Sequence, residues 1–184
     1  MLNCSFSIHY ISTRKSTPLS KNQPKINIRY KTIWKYLDLL SIFFIVFILS
    51  YTYTKYPNLP EQIPTYFDHA GNADSYGNKI LLWILPVVGI IIFAILYMIS
   101  KVPHKFNYIV EITEYNAESQ YNIALEMMVY MRLIIAMLFS YLTYMIIELA
   151  LGNQSIMGIL PLWILMAVMG IIISRSIYLS SKYK

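Results

Sequence analysis

Charge, cysteine and acidic side chains are scarce in this sequence. Only 13% of its 184 residues are charged, where a soluble domain carries about 25%, and 57% are hydrophobic. That balance excludes an ordinary soluble domain. Cys4 is the single cysteine, so no intramolecular disulfide can form. It follows no apolar run with a small-residue box, which argues against a lipidated cysteine. Strict alternation of apolar and polar residues is also missing, and with it the signature of a transmembrane barrel. No nucleophile is accompanied by oxyanion donors or a phosphate cradle, so no enzyme activity and no cofactor are expected. Metal-ligand spacing such as His-x-x-x-His is absent as well, and no metal site is expected.

What the sequence has in quantity is apolar residues, gathered into four blocks at roughly 36–53, 80–99, 127–150 and 156–179. Each approaches the ~20 residues needed to cross a ~30 Å hydrocarbon core. Lipid cannot satisfy open backbone groups, so the blocks are expected to be helices. The expected fold class is an all-α membrane protein with four transmembrane helices. Its expected parts are a basic, disordered arm at 1–33, a membrane module at 34–151, and a fourth helix with a short basic tail at 152–184. Within the module the helices are placed at about 36–54, 80–100 and 114–150, the last including an extension beyond the membrane; the fourth is placed at about 156–179.

Orientation is read from Lys and Arg. Arg14, Lys15, Lys21, Lys25, Arg29, Lys31 and Lys35 precede the first block without an acid among them, and Lys101, Lys105, Arg132, Arg175, Lys182 and Lys184 fall on the same side. By the positive-inside rule both termini are expected in the cytoplasm and the loop at 56–79 outside. The basic balance then marks a face next to anionic lipid. No nucleic-acid partner is expected, because no binding fold accompanies the charge.

Polar residues near the spans admit plain explanations. Asp38 lies one turn into the first helix, where the macrodipole favours it and Lys35 or Lys31 is placed to neutralise it. Glu148 stands near the outer end of the third helix, either wetted at the headgroups or facing the bundle. Ser140 and Thr143 are expected to bond their own backbone. Pro86 is expected to kink the second helix, and Gly89 to let another helix approach closely. Thr113 is read as an N-cap for the third helix, and Asn116 and Gln120, spaced i, i+4, as sharing one face.

The outer loop carries the densest pattern. Pro57, Pro60 and Pro64 forbid a helix interior, and Gly71 and Gly77 supply positions where positive φ is cheap. Asp68 and Asp74 suit Asx turns. Leu59, Pro60, Ile63, Pro64, Phe67, Gly71, Asp74, Gly77 and Lys79 together follow the pattern Leu-Pro-x-x-Ile-Pro-x-x-Phe-x-x-x-Gly-x-x-Asp-x-x-Gly-x-Lys. This resembles the motif of the bacterial membrane family called domain of unknown function 1648. Tyr66 stands where that family usually has His, and His69 appears three positions later. A second, cytoplasmic set also resembles the family: Pro103, His104, Phe106, Asn107 and Tyr108, then Thr113, Asn116, Gln120 and Tyr121. The resemblance covers about 35–150 and extends to the N-terminal module of SdpI-like immunity membrane proteins. It implies a bacterial inner-membrane protein that recognises an extracellular peptide and protects against a membrane-active toxin. The alternative expectation is a small transporter or channel subunit acting as an oligomer.

Overall fold

A computed structural model describes residues 23–67, 73–153 and 158–183; the arm before Gln23, with Cys4, therefore lies outside the described residues. Among the described residues, four helices are long and apolar enough to cross a membrane. Their α-helical parts are α1 (Thr32–Lys55), α2 (Ile84–Ile99), α3 (Ala117–Ala150) and α4 (Leu160–Lys182); the second span reaches from Lys79 to Ile99. Short 3-10 turns at Tyr56–Asn58 and Lys79–Trp83 prolong the first two. Between these turns the chain forms an antiparallel hairpin of β1 (Gln62–Phe67) and β2 (Ala73–Asn78). The expected loop is thus a small sheet, and the description as all-α holds for the bundle but not for this hairpin.

α3 is the axis on which the others pack. α1, α2, α4 and β1 all lie against it. Apolar side chains gain little from meeting one another in lipid, so cohesion in such a bundle depends on close packing and polar bridges. α3 supplies both. A Cβ added to Gly89 of α2 would meet Phe139 Cβ at 3.1 Å, so glycine lets α2 press on α3, as its position suggested. Ser140 Oγ donates to the Phe44 carbonyl of α1 at 3.1 Å, an interhelical bond where self-capping was expected. Thr143 does bond its own helix, at the Phe139 carbonyl. Tyr51 of α1 donates to the Glu148 carboxylate, which also accepts from Asn153. Glu148 is therefore a brace between helices rather than a free acid.

One helix start differs from expectation. α3 begins at Ala117, with Asn116 rather than Thr113 as its N-cap. The Asn116 side chain accepts from the Thr113 amide at 2.9 Å, and the Thr113 hydroxyl accepts from the Asn116 amide at 3.3 Å. That reciprocal closure holds 113–116 as a turn and delays the helix. Pro86 lies three residues past the 3-10 turn at Lys79–Trp83, just inside α2.

Candidate functional site

The hairpin is built from mismatched strands. Ile63 pairs with Gly77 and Pro64 with Tyr76, but the next pairs are Tyr66 with Ser75 and Phe67 with Ala73. Thr65 is thus an extra residue on β1 and Asp74 an extra residue on β2. Two offsetting bulges break the in–out alternation, which is why no strand period was visible. The Thr65 hydroxyl donates to the Ser75 carbonyl at 3.3 Å. Gly77 serves this geometry by its size. A Cβ there would meet Thr65 Cγ2 at 2.8 Å and Leu81 Cδ1 at 3.1 Å, and its φ is not positive. The expected role of Gly77 in a left-handed turn is therefore corrected to one of close approach.

The motif residues divide between an anchor and a displayed surface. Leu59, Ile63 and Leu82 are buried against Ile147 of α3, and Pro64 is buried as well. Lys79 bonds Glu61 at 3.0 Å and lies 5.3 Å over the Tyr56 ring. Its amide also donates to the Glu61 carbonyl. Asn78 caps the following turn by accepting from the Ile80 amide. Pro60 and Asp74 are exposed, and so are Tyr66 and Tyr76, at 71% and 60%. Phe67 ends β1. Gly71, Asp68 and His69 lie outside the described residues.

The second motif is a clasp at the opposite end of the bundle. Gln120 Nε2 donates to the Ser180 and Tyr183 carbonyls, and Ser180 Oγ donates back to Gln120 Oε1 at 2.7 Å. The buried Tyr121 donates to the Pro24 carbonyl at 2.9 Å. Tyr108 donates to the Pro103 carbonyl and packs on Tyr121 with ring centroids 5.5 Å apart. Burial holds the Tyr108 phenol above the usual tyrosine range. Gln23 reaches the Phe106 carbonyl. Pro103 is buried, His104 half-buried and Asn107 exposed. Asn116 and Gln120 do not act on a common partner: Asn116 turns back to the Glu111 carbonyl, while Gln120 holds α4.

Between these ends lies a group that charge counting passed over. Arg132 is fully buried and lies against Asp38, Nη2 to Oδ1 at 2.8 Å and Nε to Oδ1 at 2.9 Å. Its Nη1 reaches Ser100 Oγ at 3.0 Å, and Nη2 reaches the Tyr30 hydroxyl at 2.7 Å. Tyr30 in turn donates to Asp38 Oδ2 at 2.5 Å. Burial first, then this bond to Asp38, pushes the Tyr30 phenol above the ordinary tyrosine range. The guanidinium also faces the Tyr97 ring at 5.4 Å. Arg132 was read as a charge setting orientation, and Asp38 as neutralised by Lys35 or Lys31. Instead they neutralise each other, while Lys31 lies over Trp34 at 4.8 Å. The sequence signal was present in kind: an arginine inside an apolar run calls for a buried acid.

Residues 43–90 match the family described as domain of unknown function (DUF1648). The match is narrower than the resemblance read over 35–150, and the clasp residues fall outside it. No curated protein and no solved structure matched the chain. The matched stretch runs from α1 through the bulged hairpin into α2 as far as the Gly89 contact, and the similarity to DUF1648 is confined to it.

Proposed function

We propose that this chain is a recognition module of a bacterial inner membrane, with its hairpin outside the cell and both termini in the cytoplasm. The hairpin binds an extracellular peptide, and binding protects the membrane from a toxin of that kind. The observation that carries this reading is the outer edge of β2. The sheet has only two strands, so among the described residues β2 is hydrogen-bonded on one side alone. β1 lies toward α3, whereas Asp74, Ser75, Tyr76 and Asn78 of β2 are exposed. An edge of this kind accepts an extended peptide as a further strand. The exposed Tyr66 and Tyr76 add aromatic surface beside it, the residue type that dominates binding energy at such contacts.

The orientation rests on the Lys and Arg distribution. No reaction is assigned to the protein. The reading as a transporter gains nothing from the mid-span hydroxyls, since Ser140 and Thr143 are committed to backbone carbonyls.

Backbone exchange tests the edge directly. The full chain in nanodiscs is exposed to the concentrated peptide fraction secreted by its source strain, and amide deuteration is followed. Slower exchange confined to Asp74–Asn78 supports strand addition. Unchanged exchange there, with the peptide demonstrably bound, rules it out.

A further inference from the structure

A cavity of about 990 Å³ lies between α1 and α2, roofed by the segment before α1 and by the turn at 103–105. Its two long walls have the same polarity. On α1, Lys35 is followed on the same wall by Leu39 and Ile42; on the α2 side, Lys101 is followed inward by Tyr97 and Phe93. α1 begins and α2 ends at this end of the bundle, so both lysines stand at the mouth. The apolar side chains descend about 10 Å below them, at 1.5 Å per helical residue. Lys25 adds a third cation at the mouth.

Among the described residues, no carboxylate compensates the charge at this mouth. Asp38, the acid in the wall, is taken by Arg132. None of Lys25, Lys35 and Lys101 has a carboxylate within 4.0 Å among the described residues; Lys101 instead lies 4.7 Å over the Tyr97 ring. Cations above an apolar slot that opens between two lipid-facing helices match one chemistry, an anionic headgroup carrying acyl chains.

We infer that this groove is a binding site for a single anionic phospholipid of the surrounding leaflet. The phosphate sits among Lys25, Lys35 and Lys101, and one acyl chain lies along Leu39, Ile42 and Phe93. The inference is independent of the hairpin and of any peptide. It accounts for why α1 and α2, which both rest on α3 and touch each other, leave a groove between them at this end: a lipid fills it.

Native mass spectrometry of the full chain in detergent, titrated with dioleoylphosphatidylglycerol or dioleoylphosphatidylcholine, tests the site. One phosphatidylglycerol is expected to be retained in preference to phosphatidylcholine by about tenfold or more, since each basic residue near a charged lipid lowers its dissociation constant roughly fivefold. Lys35→Gln with Lys101→Gln is expected to remove that preference. Lys55→Gln with Lys182→Gln deletes the same charge elsewhere and is expected to preserve it. Thermal unfolding of both double variants without added lipid checks that each is folded. Equal retention of the two lipids overturns the site, as does an equal loss in both double variants. Displacement by millimolar inorganic phosphate alone also overturns it, because that result reports a phosphate site with no use for the acyl chain.

Discussion

Arg132 of α3 and Asp38 of α1 meet at 2.8 Å with the guanidinium wholly removed from solvent. Tyr30 and Ser100 complete the arginine's bonds from two further segments, so one side chain joins four parts of the chain. Removing one partner leaves an unpaired buried charge, at a cost of roughly 3–5 kcal/mol. Arg132→Leu and Asp38→Leu are each expected to lower the thermal midpoint in detergent strongly. The double substitution is expected to cost less than the sum of the two, because no orphan charge remains. Arg132→Lys is expected to rescue poorly, since an ammonium cannot present the same planar fork. Additive single effects would show that the two side chains do not depend on one another.

Tyr30 gives the same network a pH signature. Its folded-state pKa is raised by burial and by Asp38, so its contribution is complete below the unfolded value of about 10 and is lost as pH rises through the higher folded value. Tyr30→Phe is therefore expected to flatten part of the loss of stability above about pH 10. Thermal midpoints of both proteins across alkaline pH provide the check.

Gly77 is expected to tolerate no side chain. Alanine there would sit 2.8 Å from Thr65 Cγ2, and relieving such overpacking costs on the order of 1–3 kcal/mol. Gly77→Ala should loosen the hairpin while the helices stay intact, seen as faster protease cleavage within 62–78 at unchanged helical circular dichroism. Adding Thr65→Ser, which removes the contacting methyl, is expected to restore resistance.

The clasp makes a local prediction. Gln120→Ala deletes the bonds to Ser180 and Tyr183, each worth about 0.5–1.5 kcal/mol net. Amide exchange should accelerate in the last turns of α4 and remain unchanged around Ile147. A uniform rise across the chain would contradict a local clasp.

Orientation can be read with thiols, since Cys4 is the only native one. In a Cys4→Ser background, Ser75→Cys is expected to react with an impermeant maleimide in intact cells, and Ser181→Cys only after permeabilisation. The reverse pattern would invert the topology.

The sequence revealed the helices because crossing lipid demands long apolar runs, and that signal is local. It also located the hairpin region by its prolines and glycines, and Gly89 by its place in a span. The sheet itself was hidden, because the offset bulges at Thr65 and Asp74 erase the period that marks a strand. Asp38 and Arg132 were misassigned for another reason. They are separated by 94 residues, and lysines close in sequence offered Asp38 a simpler partner. The role of Gly77 depended on Thr65, twelve residues away and brought near only by the turn. Local chemistry was legible; partners chosen by the fold were not.

The most direct measurement is survival of cells deleted for this protein when challenged with peptides secreted by the source strain. The account predicts that the deletion alone is killed, that the intact chain restores survival, and that Tyr76→Ala or Asp74→Pro on the β2 edge fails to restore it although the protein still inserts. Equal survival with and without the protein across those peptides would contradict protection, and full rescue by the edge variants would contradict the hairpin as the recognising element.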